Sequence, residues 1–163
     1  MRGFKNILIF SVLLFFVTTM ISLAFAEDTY IENFKQFWKN AKEQGYVCVK
    51  ITSGVNAGLH YCCSLRRVSI HDEVYHGNRE VQAVIDVSYC DKAYTLVFDS
   101  GITRIFGKGD TPGMRNYFYS NSIPIVKITD TEPDVLYFDI CKRIAVGSEA
   151  CINWLSSGEI TLK

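Results

Sequence analysis

Six cysteines, Cys48, Cys62, Cys63, Cys90, Cys141 and Cys151, all lie downstream of a stretch that reads as an export signal. Together these two features constrain the fold more than anything else in the chain. The signal is read from Arg2 and Lys5 at a cationic start, an uncharged apolar run from Ile7 to Val17, and Ala24-Phe25-Ala26, which offers small residues at both positions a signal peptidase inspects. Cleavage after Ala26 predicts a mature chain that begins at the acidic Glu27-Asp28 and works in an oxidising compartment, where an even set of thiols pairs into disulfides. A retained anchor is the alternative, since Ile7 to Ala26 is about long enough to span a bilayer. The small-residue site and the acidic pair beyond it favour cleavage, and hence no stable membrane anchor afterwards. Glu27, rather than a cysteine, follows the site, which excludes bacterial lipid attachment there.

Residues 1–26 are thus expected to be a signal peptide and residues 27–163 one mature domain, large enough to bury a core of its own. The precursor balances 17 basic against 17 acidic residues; the signal holds two of the basic ones, so the mature chain is formally −2. Nucleic acid and anionic membrane surfaces reward clustered positive charge, so neither is the expected partner. The chain has no N-x-[ST] glycosylation acceptor, which together with the short signal favours a bacterial source.

Six cysteines allow 15 pairings, and local geometry narrows them. Tyr46 to Thr52 and Leu59 to Leu65 read as a hairpin around Ser53 to Gly58, and its centre places Cys48 opposite Cys63. Side chains alternate along a strand, so Cys62 points to the other face and is assigned to Cys90, while Cys141 joins Cys151 across a short loop. A zinc site is the weaker alternative, because paired C-x-x-C units are lacking and export disfavours free thiols.

Along the mature chain one helix is well signalled over 27–45. Thr29-Tyr30-Ile31-Glu32 has capping-box spacing, Tyr30, Phe34, Phe37, Trp38 and Ala41 recur at helical intervals, and Gly45 stands where a left-handed stop is wanted. That aromatic stripe reads as a core face rather than a ligand box. From residue 46 onward the pattern is mainly β. Tyr46 to Thr52, Leu59 to Val68, Glu80 to Cys90 and Ala93 to Asp99 predict strands, with alternation clearest in Val81, Ala83, Ile85, Val87 and Tyr89. Asp91-Lys92 and Ser100-Gly101 have the length of tight hairpin turns. Ile102 to Phe106, Tyr117 to Tyr119, Ile123 to Thr129 and Val135 to Cys141 extend the strand reading, and Ile152 to Leu162 is expected to close the sheet. His71 to Arg79 and Gly107 to Gly113 read as loops. The fold class expected is α+β: an N-terminal amphipathic helix packed on a twisted antiparallel sheet or a small partly closed barrel, stapled by disulfides.

Few residues carry a chemical signature. Leu96-Val97-Phe98-Asp99-Ser100-Gly101 looks like the hydrophobic-hydrophobic-Asp-Ser-Gly run of aspartic proteases, but that chemistry needs two carboxylates and would require a homodimer. Ile102 also departs from the pattern, and a hairpin turn accounts for Asp-Ser-Gly without chemistry. His60, His71 and His76 invite a Cys-His nucleophile, yet no cysteine stands in a recognisable context for one. His71 and His76 with Asp72 and Glu73 match no strong ligand spacing, and a solvated loop explains them better. Gly107 to Gly113 lacks the spacing of a phosphate-binding loop. No catalytic residue, metal or cofactor is therefore assigned. Met114 to Ser122 instead joins aromatics, one arginine and adaptable polar residues, a mixture favoured at interfaces, so Lys108, Arg115, Tyr117 and Tyr119 are the candidate partner-binding residues. Equally, this stretch reads as a strand with Phe118 facing the core.

Signal, length and the lack of enzymatic motifs resemble, in general character, the small Sec-delivered effectors of host-associated bacteria. The resemblance implies a secreted protein that binds another protein, a host protease among the candidates, as an effector or a protease inhibitor presenting the Lys108 to Tyr119 loop. Two alternatives stay open: a periplasmic structural or envelope-assembly protein, and a secreted hydrolase using Asp99 or a Cys-His pair. The invasion-associated type of envelope protein is similarly exported, but Cys141 and Cys151 stand farther apart than its C-terminal pair. Intact-mass analysis of the exported protein is expected to give Glu27 as the N-terminus; a species that keeps Met1 and partitions with membranes would reverse the localisation.

Overall fold

The computed structural model describes Ala26 and residues 29–75, 78–93, 95–98, 101–108, 125–141 and 154–162. The helical stripe folds as expected into a helix, α1, over 29–44, and it stops at Gly45, whose φ of +82° is the left-handed value that ends helices cheaply only at glycine. Thr29, read from the sequence as the residue before the helix, is itself helical, as is Ala26. Phe34, Phe37, Trp38 and Ala41 are wholly buried, Ile31 joins them, and Tyr30 is half-buried. Trp38 is the hub, with Phe37 edge-on at 5.0 Å and Phe34 and Phe98 at 6.3 Å, the arrangement in which a positive ring edge meets a negative face.

This face packs on an antiparallel sheet of seven strands: β1 (Tyr46–Gly54), β2 (His60–Tyr75), β3 (Asn78–Cys90), β4 (Gly101–Lys108), β5 (Ile125–Thr131), β6 (Val135–Cys141) and β7 (Trp154–Thr161). Their order is β4-β3-β2-β1-β7-β6-β5, so two meanders meet along β1 and β7. The last strand, expected to close the sheet, lies at its centre: Val49 pairs with Ile160 and Ile160 with Leu136, so β7 joins the two meanders. The sheet stays open but curls until Cα atoms of its edge strands, β4 and β5, approach within 8 Å. Inward residues alternate along the strands, among them Val47, Val49 and Ile51 on β1, Val81, Ala83, Ile85 and Val87 on β3, and Leu136, Phe138 and Ile140 on β6, all buried against α1 or its neighbours.

The cysteine pairing differs from the expected one. Cys48 is bonded to Cys62 and Cys63 to Cys90, in place of Cys48–Cys63 and Cys62–Cys90. The β1–β2 register explains it: Val47 lies opposite Cys63 and Cys48 opposite Cys62. Directly opposed residues share a face of the sheet, so inward Val47 must meet inward Cys63, and the expected centre was one residue out. Gly54, Asn56 and Gly58 have φ of +82°, +64° and +90°, and their turn geometry sets that centre. On β3, register shifts opposite Ser64 to Arg67 interrupt the alternation, which brings Cys90 opposite Cys63 and leaves Tyr89 64% exposed rather than inward. Cys141 is also disulfide-bonded; Cys151, its expected partner, lies outside the described residues.

Three further expectations are corrected. Residues 95–98 form no strand, because the backbone N–H groups of Leu96, Val97 and Phe98 all donate to the buried Tyr61 hydroxyl, at 3.3, 2.9 and 3.2 Å, instead of to a ladder. Asp91 makes no tight turn between strands; its N–H donates to the Cys62 carbonyl and its side chain accepts the Cys62 N–H, both at 2.9 Å, while β3 pairs with β4 beyond. Residues 71–75 and 78–79 of the polar stretch read as a loop belong instead to β2 and β3 at the end of a long ribbon, with Tyr75 opposite Asn78. Polar residues on both faces hid it, since the ribbon runs past the core. The predicted strand at Tyr117 to Tyr119 lies outside the described residues.

Gly158 sits where β7 crosses under Phe138. A Cβ there would stand 2.5 Å from the Lys50 carbonyl oxygen and 2.6 Å from Phe138 Cζ, closer than packed atoms tolerate. Gly158→Ala is expected to cost about 1–3 kcal/mol, read as an earlier urea midpoint with an unchanged slope.

Candidate functional site

The outer flank of α1 carries Lys35, Lys39 and Lys42, spaced so that all three project on one side of the helix. Facing them is β2, where Val68 is buried, Ile70 half-buried, and Asp72 lies farther along on the same face. Between helix and strand runs an open groove of about 630 Å³ with Val68 and Ile70 in its floor and the three lysines on one wall.

One end of the groove is closed electrostatically. Arg79 grips Asp72 with two parallel hydrogen bonds, Nε to Oδ1 and Nη2 to Oδ2, both 2.7 Å, and Lys35 donates to Asp72 and to Glu32 at 3.1 Å each. The Arg79 guanidinium is the main reason that the Asp72 carboxyl is lowered to about 2; burial opposes it, and the hydrogen bond from Lys35 adds to the lowering. The hydrogen bond to Glu32, then that to Asp72, raises the Lys35 ammonium above its ordinary value. Lys35 is thereby neutralised locally, whereas no carboxylate among the described residues pairs with Lys39 or Lys42. The groove thus runs from a closed ion-pair network to a cationic end over an apolar floor.

Of the residues singled out from sequence, Lys108 ends β4, with Val81 opposite it, and Val81 in turn lies opposite Asp72. The root of the 108–119 segment is therefore two strands from the closed end of the groove, at the same end of the sheet. Gly107, just before it, packs under Phe34 so closely that a Cβ would lie 2.9 Å from that ring, which ties the root of the segment to α1. Arg115, Tyr117, Tyr119, Asp99 and His76 lie outside the described residues, as does the Lys108 side chain. His71 and Asp72 do not converge: His71 lies 4.0 Å from Glu73, both exposed, while Asp72 turns to the helix face. The described cysteines are all in disulfides, so none stands free beside a histidine. Sequence reading missed the groove. The lysine spacing was visible in it, but not which strand would face those lysines.

Asp72 titrates lower in the folded chain, near 2, than its ordinary 3.8, so its pairing stabilises the fold above pH 4 and that contribution is lost as pH falls towards 2. Asp72→Asn is expected to lose the contribution at every pH, so acid melts of parent and variant converge between pH 4 and 2. The gap at neutral pH should stay within about 1 kcal/mol, since the network is open to solvent.

Comparison with known proteins gives no family: no protein-family model matches the chain, and neither a curated protein nor a solved structure does.

Proposed function

We propose that this protein is exported and acts outside the cytoplasm by binding another protein, as a host-directed effector or a protease inhibitor, with Lys108, Arg115, Tyr117 and Tyr119 in the contact. The supporting observation is where the segment is rooted: it leaves an edge strand fixed to the core at Gly107, two strands from an open groove, on a sheet stapled by disulfides. Disulfides are at home in an oxidising, extracytoplasmic compartment, and no helix among the described residues is long and apolar enough to cross a membrane. A rigid frame lowers the entropy lost when a loop docks, which is how small stapled domains reach useful affinity from a modest contact. Aromatic and guanidinium side chains then supply anchors that bury much area with little ordering.

The partner is to be found by affinity capture on the oxidised mature protein, with identification by mass spectrometry. Against that partner, Arg115→Ala, Tyr117→Ala and Tyr119→Ala are each expected to weaken binding by more than about 1 kcal/mol with thermal midpoints unchanged. Asp99→Asn should bind as the parent does and remove no peptide hydrolysis. Loop variants that bind normally would reject the site, and a hydrolytic activity abolished by Asp99→Asn would replace binding with catalysis.

A further inference from the structure

On the face of the β1–β2 hairpin turned away from α1, Cys48, Cys62 and His60 stand together. Cys48 lies opposite Cys62, and His60 is two residues along β2 on the same face, opposite Lys50. The two sulfurs and a ring nitrogen of His60 all fall within 4.8 Å of one another. We propose that Cys48, Cys62 and His60 form a divalent metal site, with Zn²⁺ as the fitting ion, that opens when the Cys48–Cys62 disulfide is reduced.

In the oxidised chain the sulfurs are bonded to each other and cannot bind a cation as thiolates. Reduction by a dithiol transfers two electrons and two protons: the Cys48–Cys62 bond breaks to give two thiols, and the dithiol becomes a disulfide. Zn²⁺ then displaces both thiol protons. A tetrahedral ion with Zn–S of ~2.3 Å needs its ligand atoms roughly 3.5–4 Å apart, within the 4.8 Å over which the three ligand atoms already lie. Two thiolates and one imidazole leave a fourth position to water. Cys48 is buried, Cys62 half-buried and His60 exposed, so the cluster is walled on one side and reachable from the other. The second pair, Cys63–Cys90, is on the core face with Cys63 fully buried, and it keeps the β2–β3 ribbon stapled while the outer pair is open. The two adjacent cysteines of β2 thus divide their work: Cys63 holds the fold, and Cys62 is free to change state.

The test uses the full mature chain, treated briefly with a dithiol, desalted without oxygen and titrated with Co²⁺ and then Zn²⁺. Alkylation and mass analysis are expected to show Cys48 and Cys62 as thiols with Cys63–Cys90 intact. The reduced chain should bind Co²⁺ at one equivalent with thiolate-to-metal charge-transfer absorption, and Zn²⁺ should displace it. The oxidised chain should bind none. His60→Ala should lower the affinity roughly tenfold or more with the same fold by circular dichroism. Cys48→Ser/Cys62→Ser should not bind; if that variant does not fold, alkylation of the two thiols in the folded parent takes its place. Absence of binding in the reduced chain, equal affinity in His60→Ala, equal binding before and after reduction, or opening of Cys63–Cys90 along with Cys48–Cys62 and unfolding of the chain would each overturn the proposal.

Discussion

An aromatic helix face with nowhere to go is the constraint from which the rest of this fold follows. Phe34, Phe37 and Trp38 carry more apolar surface than one strand pair can cover, and exposing it would forfeit a few kcal/mol per ring. Seven strands curl to cover it, bringing β4 and β5 towards each other around α1. Under Phe34 the sheet gives up a side chain: Gly107 makes room for that ring. Polar contacts then set the helix angle, with Thr131 donating its hydroxyl to the Tyr30 carbonyl and Asn33 donating to the Thr131 carbonyl, so that α1 is fastened to β5 as well as resting on it.

The cysteines follow from that packing. Once Val47, Val49 and Ile51 face the helix, Cys48 must face away; once Tyr61 and Cys63 face in, Cys62 must face out. One disulfide therefore joins β1 to β2 on the outer face, and another joins β2 to β3 beneath the core. Tyr61 extends the inner set by gathering three backbone N–H groups from residues 96–98 onto its hydroxyl, which holds that stretch over the hydrophobic centre without a strand. Adjacent Cys62 and Cys63 thus serve opposite surfaces of one sheet, and the outer one has a histidine for company.

Ion pairs shape the groove in a similar way. Past the Asp72–Val81 pair the β2–β3 ribbon leaves the core, and Asp72, gripped by Arg79 and Lys35, joins the two ribbon strands to α1. Its worth to stability is small, as expected for charges open to solvent. What it supplies is geometry: it holds one end of the groove shut and places the ribbon next to the strand from which the 108–119 segment departs.

Much of this was legible in the residues. Helical spacing from Tyr30 to Ala41, the stop at Gly45, and strands such as Val135 to Cys141 are local patterns, and local patterns survive folding because period 3.6 and period 2 each bury one face. The correct Cys48–Cys62 pairing was within reach too, had the inward valines of β1 been matched in parity with Tyr61 and Cys63. What no local pattern contains is a decision taken between distant segments. The register shifts that turned Tyr89 out and Cys90 in, the capture of 96–98 by Tyr61, the central place of β7 and the meeting of the α1 lysines with β2 all depend on which element packs against which. The sequence by itself determined the helix, most of the strands, the buried face and an even set of cysteines; the tertiary structure alone decided the Cys63–Cys90 pairing and the groove, because both are set by contacts across the sheet rather than along the chain.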